Sequence, residues 1–325
     1  MTVPLSSNPL WRVRVASRRE VSLDVCSVEL VAEDGATLQP FAAGAHVDVH
    51  LPGAIVRQYS LCSDPADSSR YQLAVLKDPS SRGGSDAMHA LRVGDVLSIS
   101  APRNLFPLAP DASHSLLLAG GIGVTPLLAM ARTLHRAGAS FAMHYCARTP
   151  ARTAFLEQLQ RSPFAAQVCF HFDDGPEAQR FRSGDVIRAP RPGEHLYVCG
   201  PAGFIDHVLA AASGAGWPEE RVHSERFRID APESSEGDSA FEVEVATTGQ
   251  VIPVGPTQSI TQALAAHGVD VPTECEAGVC GTCVLRVLHG TPDHRDSFLT
   301  QSERAGDLMT PCVTRAKSRK LVLDL

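Results

Sequence analysis

The sequence predicts a multidomain protein: an antiparallel β-barrel, then an α/β domain with a parallel sheet, then a small C-terminal α+β domain. Up to about residue 108 apolar residues alternate in period two, which is typical of half-buried antiparallel strands. From about residue 113 to 228 short apolar runs are separated by helical stretches, which indicates a doubly wound parallel sheet. Residues 230–240 are acidic and serine-rich, as in a solvated linker. The expected domains are residues 1–108, 109–229 and 241–325.

The composition is that of a globular protein. Hydrophobic residues make up 44% of the chain and charged residues 20%. No stretch approaches the about 18 consecutive apolar residues of a membrane span, and the N-terminus lacks the apolar core of a signal peptide, so we expect a cytoplasmic protein, and a monomer. A net charge of −7 argues against a nucleic-acid partner. Five cysteines stand among apolar neighbours and are expected to be reduced and mostly buried: Cys26, Cys62, Cys146, Cys169 and Cys199.

The barrel segment contains a candidate flavin site. Arg57-Gln58-Tyr59-Ser60-Leu61 begins an alternating run, which places Arg57 and Tyr59 on one face of a strand and Ser60 on the other. A cation beside an aromatic ring suits an isoalloxazine and its phosphate. The run Ser81-Arg82-Gly83-Gly84-Ser85 then leads into a helical pattern and offers N–H groups to a phosphate. The alternatives are a packed tyrosine beside an exposed arginine, and a helix merely capped by Ser85.

The first turn of the α/β segment is rich in glycine. Gly120-Gly121-Ile122-Gly123-Val124-Thr125-Pro126 follows an apolar strand and opens a helix. Gly120, Gly121 and Gly123 would let the backbone approach a bound pyrophosphate or ring. The run differs from the G-x-G-x-x-G fingerprint, and glycine turns of this kind also occur merely for packing.

Other strand ends should face the same crevice, because the carboxyl ends of parallel strands lie at one edge of the sheet. Arg148 follows the second strand, and Cys199-Gly200-Pro201 follows a later one. Asp173 and Asp174 end the third strand. A carboxylate repels a 2′-phosphate and accepts from a 2′-hydroxyl, which favours NADH over NADPH. A polar turn is the alternative interpretation of the two aspartates.

Four cysteines mark the C-terminal domain: Cys275, Cys280, Cys283 and Cys312. The first three stand as C-x4-C-x2-C with the fourth downstream, which is the ligand spacing of a plant-type [2Fe-2S] cluster. The residues between them are mostly small, so the loop can wrap closely around the sulfurs. A zinc site or a disulfide is the alternative, but zinc motifs usually contain two C-x2-C pairs.

Taken in order, these motifs resemble the phthalate dioxygenase reductase family, close to the vanillate demethylase reductases. The resemblance covers nearly the whole chain and rests on RQYSLC, RGGS, PRNLFPL, AGGIGVTP, YVCGP and CEAGVCGTC. It implies an FMN barrel, a ferredoxin-reductase-like NADH domain and a β-grasp ferredoxin domain. It also implies FMN contacts, with Phe227 near the flavin and Ala74 and Val75 contributing backbone only: Arg57, Tyr59, Ser60, Ala74, Val75, Gly83, Gly84, Ser85, Thr125 and Phe227.

The resulting hypothesis is an NADH-dependent iron–sulfur flavoprotein that reduces a separate Rieske-type aromatic oxygenase. A flavin is required between the other two carriers, since NADH gives up a hydride and the cluster takes single electrons. Hydride transfer needs no acid–base residue, so no catalytic residue is predicted, and His89, His223 and His294 are expected to be capping or surface residues. The alternatives are a free-standing diaphorase or flavin reductase, and a redox-sensing docking module.

Overall fold

The computed structural model describes residues 10–53, 55–79, 83–227, 238–273, 276, 278, 281–296 and 298–325. They form two compact units, which divide between Glu225 and Arg226. The predicted linker falls largely outside the described residues. Among the residues that are described, no helix is long and apolar enough to cross a membrane.

The N-terminal part of the first unit is an antiparallel barrel, as predicted. Its strand order is β4-β3-β6-β1-β2-β5, with β7 paired to β3. Val13 and Val15 are buried while Arg14 between them is exposed, so the period-two pattern fills the barrel interior. The elements are β1 (Trp11–Ser22), β2 (Val25–Ala32), β3 (Ala45–Leu51), β4 (Ile55–Ser60), β5 (Tyr71–Leu76), α1 (Gly84–Ala90), β6 (Val96–Ile99) and β7 (Arg103–Asn104).

The rest of the first unit is a five-stranded parallel sheet of order β10-β9-β8-β11-β12. Leu117 packs in one apolar cluster and Leu118 in another, so both faces of the central strand are buried and its sequence is apolar throughout. The elements are β8 (His114–Gly120), α2 (Val124–Arg136), β9 (Phe141–Ala147), α3 (Leu156–Gln160), β10 (Val168–Phe172), α4 (Ser183–Val186), β11 (Glu194–Cys199), α5 (Ala202–Gly214) and β12 (Val222–Glu225). Short 3-10 turns lie at Gly121–Gly123, Pro150–Arg152, Ala165–Gln167, Glu177–Gln179 and Glu219–Arg221.

Several polar contacts join the barrel to the sheet within the first unit. Arg132 of α2 donates to the carbonyl of Cys62 at 2.7 Å, and Arg152 pairs with Asp24 at 2.9 Å. The backbone N–H of Ala109 donates to the hydroxyl of Tyr197 at 2.8 Å. The carboxyl ends of the parallel strands are thus held in a fixed place beside the barrel.

The second unit contains a mixed sheet of order β14-β13-β19-β15-β17, in which β13 and β19 are parallel. Helix α6 has a capping box, since Ser259 accepts from the N–H of Gln262 while the Gln262 side chain accepts from the N–H of Ser259. The elements are β13 (Phe241–Val245), β14 (Gln250–Val254), α6 (Ile260–Ala266), β15 (Leu285–His289), β16 (Pro292–Asp293), α7 (Gln301–Ala305), β17 (Leu308–Met309), β18 (Arg315–Ala316) and β19 (Lys320–Leu323).

The last residues of the predicted linker are fixed in the second unit. The carboxylate of Asp238 accepts two hydrogen bonds from the guanidinium of Arg295, at 2.6 and 3.0 Å, and its side chain is only 8% exposed. Such a paired geometry is the strong form of an arginine–carboxylate contact. Asp238 is therefore part of the folded C-terminal unit and not of a solvated chain.

Candidate functional site

The two predicted flavin motifs meet on the outside of the barrel. Arg57 lies on β4, and α1 begins at Gly84 directly against it. A Cβ built on Gly84 would stand 2.7 Å from Cγ of Arg57, so glycine is required for the helix to approach the arginine this closely. The N-cap residue Gly83 has φ of 84°, a left-handed conformation that glycine adopts without strain. The structure therefore brings a cation to the start of α1, as a bound phosphate needs; Ser81 and Arg82 lie outside the described residues.

The neighbours of this contact are held by hydrogen bonds. The hydroxyl of Ser85 accepts from the backbone N–H of Asp78 at 3.1 Å, so it fixes the preceding loop. A ring nitrogen of His89 lies 2.9 Å from the carbonyl oxygen of Val75 and joins α1 to β5. Burial raises the pKa of Tyr59, which keeps its phenol neutral.

The glycine turn after β8 packs against the end of β11. A Cβ on Gly123 would overlap the carbonyl group of Cys199, and a Cβ on Gly200 would lie 2.9 Å from Cα of Gly120. Gly121 has φ of 52°, in the left-handed region. The hydroxyl of Thr125 donates to the carbonyl of Ile122 at 3.1 Å and holds the 3-10 turn in place. Two motifs about 80 positions apart thus pack against each other at the carboxyl ends of the parallel strands.

The second and third strands end beside each other. The backbone N–H of Asp174 donates to the carbonyl of Arg148 at 3.1 Å, and that of Asp173 donates to the carbonyl of Ala147 at 3.2 Å. The side chains of Arg148 and Asp173 are exposed at this edge. The structure thus places a cation and a carboxylate at adjacent strand ends, where the 2′ position of a nucleotide ribose would be read.

A neutral polar group lies where the barrel meets the sheet, and the sequence analysis missed it. The hydroxyl of Ser60 on β4 donates to the carboxyl of Glu225 on β12 at 3.4 Å. Removal from water raises the pKa of Glu225 to about 8, although the hydrogen bond from Ser60 opposes this shift. Burial, with Glu225 as the second cause, also raises the pKa of Cys199, which is level with Glu225 in the sheet register. Hydroxyl, carboxyl and thiol are therefore all uncharged at neutral pH.

Three histidines make specific contacts, and one cysteine differs from expectation. His89 bonds a strand carbonyl, His223 stacks on Tyr197 with ring centroids 4.6 Å apart, and His294 lies 3.7 Å from the buried carboxylate of Asp296. All three histidines are half-buried against these partners. Cys169 is exposed on the edge strand β10, whereas the apolar neighbours had indicated burial.

The described cluster cysteines are placed as ligands would be. The Sγ atoms of Cys283 and Cys312 are 3.4 Å apart, and both residues are buried. A disulfide bond would be about 2.05 Å long, so the pair is not a disulfide. Cys275 and Cys280 lie outside the described residues.

The loop around these sulfurs has no room for larger side chains. Gly278 has φ of 68°, and a Cβ there would stand 2.6 Å from Val313. Gly281 has φ of 73°, and a Cβ there would overlap the ring of Phe298. Two buried thiols beside a loop of left-handed glycines fit a small inorganic cluster held by soft ligands.

Phe227, the last residue described before the linker, is 42% exposed.

Known proteins resemble the chain over its full length. A family profile for the 2Fe-2S iron-sulfur cluster binding domain matches residues 243–317. The chain is 52% identical to the vanillate O-demethylase oxidoreductase of Pseudomonas sp. (strain HR199 / DSM 7063) over 96% of this chain and 99% of that protein. It is 38% identical to the phthalate dioxygenase reductase of Burkholderia cepacia over 100% of both chains.

A solved structure gives the same result for the fold. Phthalate dioxygenase reductase, described as a modular structure for electron transfer from pyridine nucleotides to [2Fe-2S], superimposes with a TM-score of 0.75 and 37% identity. The match covers 97% of this chain and 98% of that one. The predicted barrel, parallel sheet and C-terminal cluster domain are thereby confirmed.

The raised pKa of Glu225 generates a prediction about stability. The folded protein keeps a proton on this carboxyl up to about pH 8, whereas the unfolded chain releases it near 4.5. The contribution of Glu225 to the free energy of unfolding must therefore fall as pH rises from about 4.5 to about 8. The fall is about 1.4 kcal/mol per pH unit and at most about 5 kcal/mol in total. Glu225→Gln removes this slope. Urea unfolding of the flavin-loaded protein at pH 5 and pH 8, followed by flavin fluorescence, measures it.

Glu219→Gln is the matched control, because Glu219 is exposed and lies on the short turn before β12. It should keep the wild-type dependence on pH. If the free energy of unfolding depended on pH in the same way for wild type and Glu225→Gln, Glu225 would be ionised in the folded protein, contrary to the prediction.

Proposed function

Because the chain belongs to the phthalate dioxygenase reductase family, we propose that it is the reductase component of a multicomponent oxygenase and carries electrons from NADH to a separate oxygenase protein. The observation that carries the proposal is that one chain combines Arg57 against the start of α1, a glycine-rich turn at the ends of the parallel strands and a buried cysteine pair. FMN, when bound, accepts two electrons as a hydride and passes them on one at a time. The chain's own residues bind, orient and shield these groups.

On the barrel, Arg57 neutralises the flavin phosphate at the start of α1. Gly83 and Gly84 let the backbone approach that phosphate, because neither carries a side chain. Ser85 holds the loop before α1 through the N–H of Asp78. Tyr59 offers an uncharged ring, and Ala74 and Val75 on β5 offer backbone groups, of which the Val75 carbonyl is also bonded by His89.

In the sheet, the turn at Gly120, Gly121 and Gly123 and the Cys199-Gly200-Pro201 strand end admit the nicotinamide half of NADH. Gly121 has open space where a side chain would be, so its backbone is accessible to a ligand. Thr125 lies in the first turn of α2 and is the proposed flavin contact from this domain. The resemblance to the family implies a place near the flavin for Phe227, just beyond β12.

The uncharged group of Ser60, Cys199 and Glu225 suits a site of hydride transfer. A fixed charge at this point would favour one redox state of a bound ring over the other by an amount that grows in a low-dielectric site. Glu225 keeps its proton at neutral pH and can donate it in a hydrogen bond, while the Ser60 hydroxyl orients it. The side chains therefore position the rings without trapping an ion.

In the second unit, Cys275, Cys280, Cys283 and Cys312 hold the [2Fe-2S] cluster. The partner that takes the electrons is a Rieske-type aromatic oxygenase, an inference supported by the similarity to vanillate O-demethylase oxidoreductase. The reductase acts as a monomer, with a flavin domain at residues 1–108, an NADH domain at residues 109–229 and a cluster domain that includes Asp238 and extends to residue 325. A free-standing flavin reductase would need no cysteine pair of this kind, and a sensor module would need no nucleotide crevice.

Loss of one cluster ligand should separate the two halves of the electron route. Cys283→Ser leaves Cys312 without its buried neighbour, so the protein should lose about two irons per chain yet keep one FMN, since the proposed flavin residues other than Phe227 lie in the other compact unit. NADH-driven reduction of ferricyanide should persist, while turnover of a purified Rieske-type oxygenase should fall by at least about 100-fold. Iron analysis, flavin content and oxygen uptake measure the three quantities.

Cys169→Ser is the control, because this cysteine is exposed and lies in the first unit. It should keep iron and oxygenase turnover at the wild-type level. Oxygenase turnover that survived the loss of iron in Cys283→Ser would overturn the proposed route.

Nucleotide choice should depend on Asp173. Its carboxylate at the end of β10 repels the 2′-phosphate of NADPH. For the wild type, kcat/KM for NADH should therefore be well above kcat/KM for NADPH. Asp173→Ala should narrow the ratio about tenfold, an effect of about 1.4 kcal/mol. Asp185→Ala, an exposed carboxylate on α4, should leave the ratio unchanged. Equal use of both nucleotides by the wild type would contradict the assignment.

A further inference from the structure

A second group of metal-binding side chains lies within the parallel sheet, before the strand ends that line the crevice. His144 is on β9, and Cys169 and His171 are on the edge strand β10. The sheet register places His144 opposite Cys169, and residues two apart on a strand share a face. The three side chains therefore project from the same face of the sheet.

The distances between the donor atoms are short. Nδ1 of His144 and Nε2 of His171 are 2.9 Å apart, and these two atoms and Sγ of Cys169 all lie within 4.8 Å of one another. A tetrahedral ion with metal–nitrogen bonds of about 2.0–2.1 Å would separate two nitrogen ligands by about 3.3 Å. The rings would therefore have to part by only a few tenths of an ångström.

The protonation of the histidines suits a metal. Burial, and for His144 also the neighbouring His171, lowers the pKa of both imidazoles, that of His144 to about 4. Both rings are therefore neutral at physiological pH, which is the form that binds metal ions. The backbone of Gln179 and Arg180 lies close enough to His171 to oppose part of the shift in its pKa.

The environment of the group is half closed. The ring of Phe181 packs edge-on against His171, with centroids 5.4 Å apart, and His171 is buried. Cys169 is exposed on the outer side of β10. An ion could thus enter past Cys169 and reach two nitrogens that are already held in place, as a metal site requires.

We propose that Nδ1 of His144, Sγ of Cys169 and Nε2 of His171 bind one borderline-soft divalent cation, Zn²⁺, with water as the fourth ligand. Two imidazoles and one thiolate at these distances are a ligand set that zinc accepts. The Cys169 thiol releases its proton to solvent, and the proton between the two imidazoles moves to an outward-facing ring nitrogen. The ion joins the edge strand β10 to β9, whose ends carry Asp173 and Arg148.

Equilibrium dialysis of the iron- and flavin-loaded protein against buffered Zn²⁺, followed by elemental analysis, tests the site. The wild type should bind one zinc per chain with iron content unchanged, and the zinc should protect Cys169 from alkylation by iodoacetamide. Cys169→Ser and His144→Gln should each weaken zinc binding by at least about tenfold. Circular dichroism and flavin content show that each variant is folded.

Cys146→Ser is the matched control. Cys146 lies on β9, level with His171 in the register and on the same face, but is not one of the three donors. This variant should bind zinc as the wild type does. Absence of stoichiometric zinc in the wild type, zinc uptake that expels iron, or equal affinity in wild type and Cys169→Ser would each overturn the proposal.

Discussion

The nucleotide crevice depends on the contact between Gly123 and the peptide that joins Cys199 to Gly200. The ends of β8 and β11 approach so closely there that one methyl group would overlap backbone. Because backbone cannot move aside as a flexible side chain can, this contact fixes the glycine turn, the start of α2 and the strand end relative to one another. It also leaves Cys199 level with Glu225, and so positions the uncharged polar group that Glu225 shares with Ser60.

The arrangement of charge follows the chemistry. Cations and carboxylates lie at the outer edges of the site, where Arg57 meets the start of α1 and where Arg148 and Asp173 end their strands. The centre, between barrel and sheet, holds groups that stay neutral because burial opposes their ionisation. Under the proposed function, the charged groups select the phosphates of flavin and nucleotide, while the reacting rings meet in surroundings that favour neither oxidation state by a fixed charge.

Local sequence patterns predicted many elements and motifs of this structure, but they did not predict contacts between residues that are far apart in the sequence. Glycine turns, the alternation in β1 and the C-x4-C-x2-C spacing are properties of neighbouring residues, and each predicted its element or motif correctly in type. Glu225 has no such signal: its raised pKa arises from desolvation at a seam that forms only when β4 and β12 come together. The pairing of His144 with His171, 27 residues apart, likewise requires the register of β9 and β10.

In the proposed route, electrons leave the protein through the C-terminal cluster, and cutting the chain between residues 230 and 237 tests this route. In the intact chain the tether holds the cluster at about millimolar local concentration, so cytochrome c reduction by NADH should not depend on added ferredoxin unit. After the cut, the flavin-containing half should still reduce ferricyanide but barely reduce cytochrome c, and the separate C-terminal half should restore the rate in proportion to its concentration. A cut protein that kept its full cytochrome c rate at dilution would contradict the account.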